Sequence, residues 1–177
     1  AAYSGSFPIL TPFVAIWKDP EYAAALQAAG LSTVYLHFDG VSRETDPFIE
    51  IHRKAIEVLD QVHLATVLVP TIIRGRNDHQ AGDIIRFAAE HISVVRGVNF
   101  QPVAFTGAAV EADVQKARIT IPDLLHRIEE QTGGVIRAGD FYPIPCVLPI
   151  SDLVEAYRGT PQIRFTAHQH CGAATYV

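Results

Sequence analysis

Polar residues placed just past apolar runs are the positions of this chain best suited to hold a ligand. Asp39 follows the run Leu31–Phe38 and precedes Gly40. A carboxylate there can accept two hydroxyl donors from a ribose; the commoner use of an Asp-Gly pair is a plain turn. The turn Arg74-Gly75-Arg76-Asn77-Asp78 follows the run Val67–Ile73. It either presents backbone amides to a ligand or is an ordinary strand-to-helix loop in which Asp78 caps a helix. Asn99 and Gln101 alternate, so they share one side of their strand. They form either a polar mouth or a hydrogen-bonded pair on a wet face. The thiols are Cys146, in PIPCV, and Cys171, which follows His168 and His170 in HQHCG. Thiolate and imidazole together favour zinc or iron–sulfur iron. Two cysteines leave a four-ligand site incomplete, and buried inert thiols are the commoner role. There is no Cys-x-x-Cys and no nucleophile elbow, and no catalytic residue stands out.

The elements that must position these residues repeat as strand, turn and helix, each unit spanning roughly 30 residues. Asp19-Pro20-Glu21 supplies a cap, a proline at the first helical position and an acid in the first turn, so a helix is predicted from there to Gly30. Strands are predicted over Leu31–Phe38, Val62–Ile73 and Val94–Gln101, and helices from Asp46-Pro47 to Gln61 and from Asp78 to His91. Phe13–Trp17 also suits a strand. Such units predict an α/β fold with parallel strands. An open doubly wound sheet and a TIM-like (β/α) barrel both fit. No GxGxxG or P-loop glycine pattern follows any strand. Polar residues gathered after three successive strands favour a barrel or part of one.

The repeat fades after Gln101. Pro102 to Lys116 is predicted as loop with a short helix, and a helix from Thr120 or Pro122 ends at Gly133-Gly134. The proline-rich stretch RAGDFYPIPCVLPI is predicted to be extended and irregular. A helix capped by Ser151 and a strand over Gln162–Thr166 follow.

With 177 residues, 49% of them apolar, the chain has material for one full core. A net charge of −5 argues against nucleic acid or an anionic membrane as the main partner. No apolar run reaches the roughly 20 residues that span a bilayer, and no basic leader precedes an apolar core. Two cysteines without a disulfide framework suit a reducing, cytoplasmic setting. A chain that starts at Ala1 and contains no Met is either an engineered segment, a piece of a longer protein, or a sequence from which modified methionines have dropped out.

Six separated segments carry a family resemblance: YLHFDG at Tyr35–Gly40, VPTIIRGRNDHQAGDIIRFA, VRGVNFQPVAFTG, RITIPDLLHRIEEQTGG, DFYPIPC and CGAATYV. Together, and in this order, they resemble radical S-adenosylmethionine (SAM) proteins of the archaeal tetraether lipid synthase and molybdenum cofactor synthesis protein A-like group. The resemblance implies a partial radical SAM barrel over residues 1–118. Residues 119–177 become an extension in which Cys146 and Cys171 are candidate ligands of an auxiliary iron–sulfur site. It places Asp39 near a ribose, and Gly75, Asn77, Asn99 and Gln101 near adenine and substrate. It implies that the full-length enzyme reduces SAM at a 4Fe–4S cluster, abstracts hydrogen and joins lipid chains. The cluster-binding CxxxCxxC and a GGEP-like segment are absent here. The expectation is therefore an inactive fragment that holds neither cofactor. Its partner would be a small-molecule or lipid substrate. Its open strand edge would pair with a second copy or be covered by Ala1–Trp17. The alternatives are a complete small α/β protein binding a phosphorylated metabolite, and a non-catalytic binding domain.

Overall fold

The structure, a computed structural model, describes residues 18–105, 111–162, 164, 168 and 170–176, with the backbone alone at 111–113. The chain divides into two compact units, the first ending at Thr120 and the second starting at Ile121.

The first unit is α/β with parallel strands and flanking helices. Helix α1 (Pro20–Ala28) starts as its sequence dictates: Asp19 Oδ1 accepts the Tyr22 amide at 3.1 Å, and Pro20 takes the first turn, where no amide is needed. Gly30, at φ +94°, turns the chain into β1 (Thr33–His37). Helix α2 (Ile49–Gln61) begins later than Asp46-Pro47 predicts, because the Asp46 carboxylate accepts the Phe48 amide at 3.0 Å and leads the chain into the helix from outside. The predicted strand Val62–Ile73 is shorter and broken. His63 takes φ +53° to close the helix end, and Pro70 interrupts the ladder between β2 (Ala65–Val69) and β3 (Thr71–Ile72). A 3₁₀ turn, Asp78–Gln80, precedes α3 (Ala81–Glu90). Strands β4 (Val95–Val98) and β5 (Gln101–Pro102) follow, then α4 (Glu111–Ala117).

Strands β1, β2 and β4 lie side by side in chain order, all parallel. Beyond Pro70 the ladder continues as β3 beside β5, held by Asn99 N to Leu68 O at 2.7 Å and Gln101 N to Pro70 O at 2.9 Å. No closed barrel is present among the described residues. Alternation in β1 sends Val34, Leu36 and Phe38 to the helix side. There they form one core with Ala23, Ala55, Ile56, Leu59, Leu68, Ile84 and Phe87. Phe38 stacks on Phe87 with ring centroids 4.8 Å apart. Each such apolar side chain contributes about 1.5–3 kcal/mol on burial. The opposite face carries Thr33, Tyr35 and His37, which stay half-buried or exposed. The register sets Tyr35 beside Val67, and Val67 beside Gly97, whose α-carbon faces open space.

In the second unit α5 (Ile121–Gln131) buries Leu124 and Ile128, with Ile136 buried after the turn at Gly133-Gly134. β6 (Tyr142–Pro143) pairs antiparallel with β7 (Ala173–Ala174). The stretch RAGDFYPIPCVLPI is more regular than expected. It forms 3₁₀ turns at Ala138–Asp140 and Ile144–Val147 and the start of α6 (Leu148–Arg158), which opens before Ser151. Pro145 and Pro149 sit in first turns, where a missing amide costs nothing. The predicted strands over Phe13–Trp17 and Gln162–Thr166, and the cover by Ala1–Trp17, fall wholly or partly outside the described residues. No helix among the described residues is long and apolar enough to cross a membrane.

Candidate functional site

Parallel strands bring their carboxyl ends to one edge, and the register decides which residues meet there. Thr71 pairs with Gln101, and the Thr71 amide donates to Asp39 Oδ1 at 2.8 Å. Asp39, Thr71 and Gln101 therefore stand in a row. One pleat earlier His37 stands beside Val69, and Asn99, bonded to Leu68 O, follows Gly97 on the open face. The rim so formed carries His37, Asp39, Asn99 and Gln101 at its surface. Asn99 and Gln101 are exposed.

Asn77 joins this edge in another way. It is buried, its Oδ1 accepts the Ile73 amide at 2.8 Å, and its Nδ2 donates to Asp39 O at 2.8 Å and Thr71 O at 2.9 Å. It brackets the ends of β1 and β3, and its side-chain polar atoms are occupied by backbone. Gly75, at φ +75°, donates its amide to Asp78 Oδ1 at 2.8 Å. The amides of Arg74, Arg76 and Asn77 bond to Ala117 O, Ile73 O and Ile73 O. These four amides are therefore taken up by protein acceptors, three of them within the turn and its approach and one on Ala117. Asn77→Ala would leave one amide and two carbonyls without this partner. It is expected to lower stability by about 2 kcal/mol, read as the shift of a urea unfolding midpoint.

The loop after β1 is tied down by groups that the sequence reading did not single out. Asp46 and His52 form a buried pair, Oδ2 to Nδ1 at 2.6 Å, with side chains 2% and 0% exposed. Asp46 Oδ2 also accepts the Asp39 amide at 3.3 Å. Gln80 Oε1 accepts from Val41 N at 3.0 Å and from Thr45 Oγ1 at 2.7 Å, and its Nε2 donates to Ser42 Oγ at 3.2 Å. His37 Nε2 meets Asp39 Oδ2 at 2.8 Å, with side chains 50% and 26% exposed. Only the last pair had a signal in the sequence, since residues i and i+2 of one strand share a face.

The Asp39 hydrogen bond holds the His37 imidazole above its usual 6.5; partial burial opposes this, and the charges of Asp39 and Asp46 add to it. The folded value is raised, so the pair's contribution to stability is complete below pH 6.5 and is lost as pH climbs through the raised value. An NMR titration of the His37 ring should show a midpoint above 6.5 that falls in Asp39→Asn. An unchanged midpoint in that variant would remove Asp39 as the cause.

Cys146 and Cys171 are exposed free thiols of the second unit. Among the described residues no three or more His, Cys, Asp or Glu side chains group closely enough to hold a metal ion. His168 and His170 face each other at 5.2 Å between ring centroids.

No family model matches the chain. It is 48% identical over 167 residues to the 7,8-dihydro-6-hydroxymethylpterin dimethyltransferase of Methanocaldococcus jannaschii, an alignment covering 90% of this chain and 33% of that protein. This finding corrects the expectation of a radical SAM protein of the tetraether lipid synthase and molybdenum cofactor synthesis protein A-like group: the relative is named for methyl transfer to a pterin. Radical hydrogen abstraction, the joining of lipid chains, and the SAM and 4Fe–4S cofactors were implied by that resemblance and fall with it. The same resemblance was the source of the auxiliary iron–sulfur role for Cys146 and Cys171, which lie outside any group of three or more such side chains among the described residues. The chain spans about a third of the length of the curated relative it matches.

Proposed function

We propose that this chain is a segment of an enzyme that transfers methyl groups to a reduced pterin, and that the rim of the first unit holds the pterin ring. The carrying observation is the row of His37, Asp39, Asn99 and Gln101 at the carboxyl ends of the parallel strands. A pterin is flat, and its edge alternates amide-like donors and acceptors. Exposed carboxamides at Asn99 and Gln101 complement such an edge, since each offers both a donor and an acceptor. The half-buried open face, with Tyr35 and Val67 along it, supplies an apolar floor. In this reading the rim binds and orients the acceptor heterocycle, and the methyl group comes from a donor held elsewhere in the enzyme.

The strands fit a section of a (β/α) barrel. They follow chain order without reversal, whereas a doubly wound sheet reverses order at its ligand site. Their covering helices pack into one core on one face. The other face, with small and half-exposed residues, suits a barrel interior.

The test is titration of the 177-residue chain with 6-hydroxymethyl-7,8-dihydropterin by calorimetry. Saturable binding is expected, weakened about tenfold in the double variant Asn99→Ala, Gln101→Ala, because lost polar pairing costs about 1–2 kcal/mol. Absence of binding, or binding indifferent to both substitutions, would overturn the assignment of the rim.

A further inference from the structure

We propose that His37 orients the ligand at this rim: anchored through Nε2 on Asp39, it offers its Nδ1–H to the adjacent 4-oxo and N5 acceptors of the pterin. The inference rests on the pterin reading of the rim and adds a residue and a direction to it.

Three observations carry it. The first is rigidity. The Asp39 carboxylate is bound on one oxygen by the Thr71 amide at 2.8 Å and on the other by His37 at 2.8 Å. The Asp39 carbonyl is held in turn by Asn77. A ring fastened to so fixed a carboxylate has a defined second nitrogen, as in any histidine oriented by a carboxylate. The second is position. His37 lies beside Val69 in the register, on the face that also carries Asn99. Its side chain is half exposed, so a flat ligand resting on the open face comes within its reach. The third is capacity. Nε2 is the ring atom that meets Asp39, and among the described residues no protein group is recorded on Nδ1.

The titratable groups recorded against His37 are Asp39, Asp46 and the His52 ring, which meets it edge-on with centroids 6.2 Å apart. Both carboxylates favour the imidazolium, in which both ring nitrogens carry a proton. The imidazolium is a donor only. It accepts no hydrogen bond from the amino edge of the pterin, so it selects the 4-oxo and N5 side and leaves the amino edge to Asn99 and Gln101.

The experiment measures the affinity of the 177-residue chain for 6-hydroxymethyl-7,8-dihydropterin between about pH 6 and pH 8.5, the range in which a histidine changes charge. The wild-type chain is expected to bind about tenfold more weakly at the upper end, the size of one hydrogen bond to a charged group. His37→Gln keeps a donor but does not titrate, so it should retain binding and lose the slope; any slope that remains belongs to the ligand. Its unfolding midpoint is measured alongside to confirm an intact fold. If His37→Gln fails to fold, Asp39→Asn stands in, and the wild-type slope should then shift to lower pH. Binding with a flat wild-type profile, or a slope unchanged in the variants, overturns the role of His37 and leaves the pterin reading standing. No binding at any pH overturns both.

Discussion

Asp46→Ala is expected to lower stability by about 4 kcal/mol, because it removes one partner of a buried pair and the acceptor of two backbone amides together. The Asp46 carboxylate accepts the Phe48 amide at the entry to α2, the Asp39 amide at the end of β1, and His52 Nδ1 from within α2. Both side chains of the pair are all but inaccessible, so water cannot take the place of the lost oxygens. The residue therefore fastens strand end, loop and helix at one point. Its loss should reach the rim, since the Asp39 backbone is among its partners. Urea unfolding gives the stability change, and the NMR titration of His37 gives the effect on the rim. A change below about 1 kcal/mol, the worth of an ordinary exposed pair, would show that the contact is not carrying the loop.

Gly40→Ala is expected to cost about 3 kcal/mol, the upper range for overfilling a packed site. A methyl group on Gly40 would overlap Thr45 Oγ1 and lie within 2.6 Å of Gln80 Oε1 and of Thr45 Cβ. Thr45 cannot swing aside freely, because its hydroxyl bonds to Gln80 Oε1 at 2.7 Å and to Ser42 O at 3.2 Å. Accommodating the methyl means opening the Ser42–Thr45–Gln80 network that closes the loop. Gly97→Ala is the matched control. An added methyl there meets nothing within 4 Å, so a change within about 0.5 kcal/mol is expected. Equal effects at the two glycines would show that close packing at Gly40 is not the reason for its identity.

Several elements of the first unit were legible because their signals are local. Asp19-Pro20 marks a helix start through a side chain and a ring that act within one turn. The alternation of Val34, Leu36 and Phe38 with Tyr35 and His37 separates the two faces of β1 within a single strand. The proline-rich stretch misled for a related reason: proline excludes a sheet interior but is at home in the first turn of a helix, and pattern alone does not choose between those uses. The break at Pro70 and the late start of α2 also have local causes, a missing ladder donor and a carboxylate that accepts an amide two residues on, but hydrophobic periodicity carries neither signal.

The sequence by itself determined that this chain builds parallel strands with helices between them, and that Asp39, Asn99 and Gln101 end up at strand termini, since apolar periodicity and turn residues act over a few positions. It did not determine which polar groups are consumed by the fold and which stay exposed at the rim. Asp39 and Asn77 are 38 residues apart, and Val41 and Gln80 are 39 apart. Only folding brings such groups within hydrogen-bond range, and only then does Asn77 become a buried bracket while His37, fastened to Asp39, stays half exposed at the rim. Hydrogen bonds reach about 3 Å, and separation along the chain carries no information about that distance until the sheet register is set.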